Sequence, residues 1–497
     1  MRGYVAEHLE SFDALRSFEL SHDTAPATTF SPTPKGIEPA RDDSPAEEWK
    51  LPDDVERPAD LAELHYADIP TLAALVRSRR VSCVELTRTF LARLRAVDEV
   101  TNCVVTFLDE RALAQAERLD RELAEGRWRG LLHGIPWGAK DLLAVRGAPT
   151  TWGAKPFENQ SFDDDASVVR RLDEAGAVLL AKLSLGALAM GDEWFGGKTL
   201  NPWLPVQGSS GSSAGSAAAS AAGGVVFAIG SETRGSILSP SARCGNSSLR
   251  PTFGRVSRHG AMPLSWSMDK LGPIGRSAVD VAIVMEAIQG PDGLDAHVRD
   301  LPFRAPAPAD ARGWKVGVVL ADFEKQDHLA HVLEEIEALG AELVPLEPLD
   351  YPIDAICTVL EVEAASVFEE LTRSGRDDEL VQQTEYSWPN IFRSAHLIGA
   401  VDYMRANRLR TRLMYAVHEQ FEGLDLIVHP TRRTDGRFLS IGNLTGHPAF
   451  VAPAGFRENG TPLSVSFMGP LYGDAKLLAF ARAWQDSTAH HHRHPEL

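Results

Sequence analysis

Gly208-Ser-Ser-Gly-Ser-Ser-Ala-Gly-Ser216 runs without a break into Ala217-Ala-Ala-Ser-Ala-Ala222 and, past two glycines, into Val225-Val-Phe-Ala-Ile229. Alone, a Gly/Ser run is a flexible linker. This one leads directly into an Ala-rich helix opening and then a buried strand, which linkers do not. Small residues permit tight turns and close backbone approach, and free N–H groups at a helix start can receive an anion. A phosphate-cradling loop fits poorly, because no GxxxxGK[ST] pattern is present. The stretch therefore predicts a backbone-lined site packed against a sheet.

Outward from it, helical and strand-like segments alternate. Helical patterning covers Ile69 to Leu94, with Ser82 as a cap before Glu85, then Ala112 to Glu125, Ala166 to Ala175, Leu329 to Leu339 and Met404 to Phe421. Strand-like runs cover Ala177 to Lys182, Lys315 to Leu320 and Leu424 to Val428. Alternation of this kind predicts an α/β fold, a sheet covered by helices on both faces. Residues 1–60 differ: Thr24 to Pro58 is dense in Pro, Asp, Glu, Ser and Thr, too poor in apolar surface to bury much. That segment reads as an extension, extended or partly disordered and wrapping the main body, ahead of a single large domain over 61–497.

Composition narrows the function classes. A net charge of -19 argues against nucleic acid as a partner, since phosphate binding leans on Lys/Arg surfaces. Cys83, Cys103, Cys244 and Cys357 lie far apart, which suits a reducing, cytoplasmic setting rather than a disulfide scaffold. Neither a signal peptide nor a spanning helix is expected. His490-His-His-Arg-His494 reads as a solvated tail, and no cluster has metal-ligand spacing, so no metal or organic cofactor is expected.

Three positions carry chemistry. Lys140 follows Gly134-Ile-Pro-Trp-Gly-Ala139 and precedes apolar Leu142-Leu-Ala-Val145, a setting for a buried lysine whose lowered pKa lets it act as a base. Ser236 follows the turn Gly230-Ser-Glu-Thr-Arg-Gly235, where the backbone N–H groups of Thr233, Arg234 and Gly235 can converge on one oxygen as an oxyanion hole. The Gly/Ser run offers the third group. Gly211-Ser212-Ser213-Ala214-Gly215 also matches the G-x-S-x-G nucleophile elbow, with Asp435 and His447 in the right order. That motif must follow a central strand, which the Pro-containing Asn201 to Pro205 segment cannot be.

The set resembles the amidase signature family. Its Gly/Ser segment reads here as Ser210-Gly-Ser-Ser-Ala-Gly-Ser216, its second segment as Gly230-Ser-Glu-Thr-Arg-Gly-Ser-Ile-Leu238, and its lysine motif as Gly134-Ile-Pro-Trp-Gly-Ala-Lys140-Asp141. Leu249-Arg-Pro-Thr-Phe-Gly-Arg-Val-Ser257, Ser267-Met-Asp-Lys-Leu-Gly-Pro273 and Asn443-Leu-Thr-Gly-His-Pro448 extend the likeness. The resemblance implies a mixed twisted sheet and a Ser-cisSer-Lys triad: Ser236 as nucleophile, Ser212 as bridge beside a cis peptide, Lys140 as base.

The chain departs from the family pattern at Glu232, Arg234 and Leu238, which predicts either a Glu232–Arg234 pair or a weakened oxyanion hole. The expected activity is hydrolysis of linear carboxamides or anilides, extending to esters and carbamates, through an acyl-enzyme on Ser236. Trp137, Met190, Trp194 and Phe195 are the expected pocket walls. Expected partners are a small-molecule amide and a second copy in a homodimer, with no nucleic acid and no membrane span. The alternative is a glutaminase-type A subunit of a tRNA-dependent amidotransferase, and the third reading an inactive scaffold.

Overall fold

Eleven strands hydrogen-bond into one sheet among the described residues, which in this computed structural model are 2–18, 27–39, 44–431 and 437–497. The spatial order begins Val104–Phe107, Val178–Leu183, Pro136–Lys140, Phe227–Glu232, Lys270–Gly275, Ser247–Arg250. It continues through Ala449–Phe456, Pro462–Met468, Leu426–Pro430, Lys315–Val318 and Glu342–Pro345. Pro136–Lys140 runs parallel to both neighbours, as does Lys315–Val318 at the far side, while the strands between them pair antiparallel. The sheet is therefore mixed, as expected.

Every residue of Pro136–Lys140, Val178–Leu183 and Leu426–Pro430 is buried, so both faces of those strands are covered. Cover on both faces removes the need for a polar alternation, and this is why these strands read as near-continuous apolar runs, interrupted only by Lys140, Lys182 and His429. Gly138 lets two of them approach: a Cβ there would come within 2.3 Å of Leu183 Cδ1.

Local signals behave as chemistry dictates. Ser82 and Glu85 form a reciprocal capping box at the start of Cys83–Thr101, which splits the long helical pattern into two helices, Ile69–Arg77 and Cys83–Thr101. The Ala-rich segment is the helix Ala214–Ala221, buried along its whole length. The segment before the Gly/Ser run forms a separate two-stranded sheet, Leu200–Asn201 with Leu204–Gly208, outside the main one.

Ahead of the Pro- and acid-rich stretch that starts at Thr24, the N-terminal segment is helical. Arg2–Arg16 is a helix whose Phe12 and Leu15 are buried with Ile353, Ile356 and Leu413, and Arg405 donates to the Leu15 carbonyl at 2.8 Å. Further on, Phe30 meets Phe253 edge-on at 4.8 Å and lies under the Arg410 guanidinium at 3.9 Å. A few anchored aromatics hold a composition that could not fold alone. Among the described residues no helix is long and apolar enough to cross a membrane, and all four cysteines are unbridged and buried.

Candidate active site

Lys140 ends the strand Pro136–Lys140, and the parallel register that sets Ala139 against Ile229 brings it beside Ser231. The next residue pins the strand end. Asp141 takes Lys182 Nζ at 2.6 Å and the Thr151 amide at 3.0 Å, with the Asp141 and Lys182 side chains both fully buried. Such a pair holds geometry well, because removing either partner strands a charge in the interior.

Lys140 Nζ lies 2.8 Å from Ser212 Oγ, 3.0 Å from Ser213 Oγ and 2.9 Å from Ser231 Oγ. The Gly211–Ser212 peptide is cis, as the resemblance implied. The hydroxyl protons can be assigned by counting. Ser213 Oγ accepts from the Ser231 amide and donates to the Ser231 carbonyl, both at 3.2 Å, so towards Lys140 it can only accept. Burial pushes the Lys140 amine well below its ordinary value of 10.5, while Asp269 and Glu232 pull the other way. A neutral amine has two N–H groups and one lone pair. In that form it can donate to Ser213 and Ser231 and turn its lone pair to the Ser212 hydroxyl. Sequence spacing does not single out Ser231; only the strand register, which places it opposite Lys140, exposes its part.

The second segment forms an arch over residues 233–236. Glu232 closes it: one carboxylate oxygen accepts the Ile237 and Leu238 amides, both at 2.9 Å, and the other takes Arg250 at 2.9 Å and Asn443 at 2.7 Å. At its side Thr233 donates to Asp269 at 2.6 Å, and Gly235 supplies the positive φ of +88° that the bend needs. Among the described residues the amides of Thr233, Arg234, Gly235 and Ser236 form no hydrogen bond, so they are available to an incoming oxyanion. Ser236 is partly exposed, and its carbonyl accepts the Ser213 amide at 3.0 Å. The structure thus joins Lys140 and Ser212 directly. It ties Ser236 to them through the backbone; no hydrogen bond links the Ser212 and Ser236 hydroxyls among the described residues.

The expected Glu232–Arg234 pair does not form. Glu232 is paired with Arg250, and Arg234 reaches outward to Ser440 at 3.0 Å and Asp354 at 2.8 Å, away from the arch amides. Leu238 packs with Ala242, Ala449 and Val451, an apolar setting that a charged side chain would not suit.

Beside the arch lies a cavity of about 270 Å³, lined by Ser231, Thr233, Asp269, Leu142, Met262 and Trp266 among others. None of the four expected pocket residues lines it. Trp137 is core: it is 1% exposed and stacks on Phe227 at 6.0 Å. Trp194 is buried edge-on to Phe195 at 5.0 Å in a short hairpin, and Met190 packs on the main core. The signal that would have found Met262 and Trp266 lies in the loop after Ser257, which closes on the arch only in three dimensions. Trp137→Ala should therefore lose about 3–5 kcal/mol in urea unfolding with KM unchanged; a raised KM at unchanged stability would return Trp137 to the pocket.

The nucleophile-elbow reading fails on the same geometry. Ser213 is satisfied by Lys140 and Ser231, and His447 is turned towards Thr445 at 2.7 Å and stacked on Phe421 at 5.2 Å. Burial pushes His447 down to about 3. Asp435 lies outside the described residues.

The model of the family described as Amidase matches residues 85–437. The A subunit of glutamyl-tRNA(Gln) amidotransferase from Moorella thermoacetica is 34% identical, over 88% of this chain and 99% of the relative. Its counterpart from Psychrobacter sp. (strain PRwf-1) is 33% identical over 87% and 98%. Among solved structures, the native peptide amidase of Stenotrophomonas maltophilia matches with a TM-score of 0.76 and 28% identity, over 88% of this chain and 99% of that one. These relatives correct two expectations. The stand-alone hydrolase of linear carboxamides and anilides gives way, because the curated relatives matched end to end are amidotransferase subunits. The expectation of a small-molecule amide without nucleic acid involvement falls for the same reason: those relatives are named for glutamyl-tRNA(Gln).

Proposed function

The chain belongs to the amidase family, and from that premise we propose that it is a glutaminase-type A subunit of a tRNA-dependent amidotransferase, freeing ammonia from a carboxamide for a partner protein. The observation that carries this reading is the 34% identity to the Moorella amidotransferase chain, over 88% of this protein and 99% of that relative. Residues 61–497 form the catalytic unit in this reading, and the helix Arg2–Arg16 and Phe30 pack against it.

In the proposed mechanism neutral Lys140 takes the Ser212 proton as Ser212 takes that of Ser236, and Ser236 attacks the carboxamide carbon. The amides of Thr233, Arg234 and Gly235 hold the developing negative charge. The relay then runs in reverse and protonates the departing nitrogen, so ammonia leaves and an acyl-enzyme remains. Water hydrolyses it by the same relay.

Two measurements test this. Ammonia release from glutamine is assayed with the chain alone and with co-purified amidotransferase partner proteins; release that rises with the partners supports the reading, and none in any assembly overturns it. The pH dependence is the second. Lys140 must be neutral to act, so the rate rises as pH climbs through its lowered pKa and then levels off, with the midpoint well below 10.5. A rate that falls over that limb would contradict a lysine base.

A further inference from the structure

Away from the arch, three side chains converge that the mechanism does not use. His331 and Glu335 sit one turn apart on the helix Ala330–Ala338, and His490 opens the short turn His490–His492 that follows the helix Asp474–Thr488. One ligating atom from each lies within 4.8 Å of the others. His490 Nε2 is 2.8 Å from Glu335 Oε1.

Two details point to a cation rather than a simple ion pair. The other carboxylate oxygen, Glu335 Oε2, is shut away from solvent without a hydrogen bond. A buried carboxylate oxygen left without a donor is costly, and a metal ion is the partner that satisfies both oxygens at once. Second, His331 Nε2 lies 3.0 Å from the Ala454 carbonyl. A carbonyl can only accept, so Nε2 carries the proton and Nδ1 the lone pair. An imidazole anchored on a carbonyl through one nitrogen, with the other left basic, is the support that metal-binding histidines use.

We propose that His331, Glu335 and His490 bind a divalent transition-metal ion, clipping the C-terminal segment to the helix Ala330–Ala338. Two imidazoles and a carboxylate select zinc-like ions over calcium or magnesium, which require oxygen ligands, and three protein ligands leave a fourth position for water. The role is structural: without the ion, the segment after Thr488 is held at this point by the His490–Glu335 contact and by ring contacts of His490 with His331 and Trp484.

The test is calorimetric titration of the full chain, stripped with chelator, with zinc chloride, alongside its thermal unfolding midpoint. One ion per chain is expected, with a raised midpoint. Glu335→Gln and His331→Ala should each weaken binding more than a hundredfold and abolish the rise in midpoint on adding zinc, with at most a small fall in the midpoint of the stripped protein. His491→Ala/His492→Ala, in the adjoining tail, should leave affinity within about threefold. If a ligand variant lowers the stripped midpoint, Glu335→Asp provides the check: it keeps the charge but shortens the reach, and should also bind more weakly. No binding by the wild type, equal binding in Glu335→Gln, or loss confined to the tail variant each overturns the site.

Discussion

Under the proposed mechanism, Lys140→Met should lower ammonia release from glutamine by at least a thousandfold while the chain stays folded. Methionine nearly matches the lysine stem in volume and fits a fully buried position, so the core is not emptied. What is lost is the lone pair that, in the proposed relay, receives the Ser212 proton. The Ser231 hydroxyl also loses a donor, at a cost of about 1–3 kcal/mol if left unsatisfied, while Ser213 keeps its two bonds to the Ser231 backbone. Urea unfolding therefore shows a modest loss, and the rate a far larger one.

Non-additivity makes the test specific. Residues that act as one relay lose nearly everything at the first deletion, so Lys140→Met, Ser212→Ala and Ser236→Ala should each approach the rate of the triple variant. Ser213→Ala, whose hydroxyl is spoken for by Ser231, should keep activity within about tenfold. Additive losses, or a Ser213→Ala as inactive as Ser236→Ala, would reject the proposed relay.

Lys140, Ser212 and Ser236 are readable because each sits inside a local run whose small residues leave few other interpretations. The sheet is readable for a related reason: strands covered on both faces are mostly apolar, and Val178–Leu183 and Leu426–Pro430 advertise that apart from Lys182 and His429. What escapes depends on contacts that spacing does not encode. A Glu232–Arg234 pair is one of two readings of the altered segment, yet the carboxylate turns to Arg250 across the sheet, where the arch amides, Arg250 and Asn443 together satisfy both its oxygens. Trp137 resembles a pocket wall in sequence and is core because it stacks on Phe227 of the neighbouring parallel strand. The helix Arg2–Arg16 is hidden by the polar composition that follows it and owes its place to a surface built far downstream, at Ile353 to Leu413. His331 and Glu335 have helical ligand spacing, but the third group, His490, lies 155 positions beyond Glu335.

Glu232→Ala carries the second large effect, and it acts through the arch rather than the relay. The wild-type carboxylate is fully buried, and its two oxygens accept from two backbone amides, Arg250 and Asn443. Truncation leaves the Arg250 charge unpaired in the interior and two amides without acceptors, a loss of about 3–5 kcal/mol or more. The arch then relaxes, and the amides of Thr233 to Gly235 no longer converge.

Glu232→Gln separates the two contributions. Its carbonyl can still accept the Ile237 and Leu238 amides, but its NH2 faces Arg250 donor to donor, so stability falls while the arch survives in part. The pH dependence gives the sign. Burial alone would raise the Glu232 carboxyl, but Arg250 and the arch hydrogen bonds outweigh it and hold the group below its ordinary 4.5. Its stabilisation is therefore complete above that ordinary value and drains away as pH falls through the lower folded one. Wild-type stability should decline along that acid limb more steeply than that of Glu232→Gln, whose side chain does not titrate there. Equal acid limbs in the two proteins would mean that the carboxylate does not hold the arch closed, and that the donors around Ser236 are positioned by another contact.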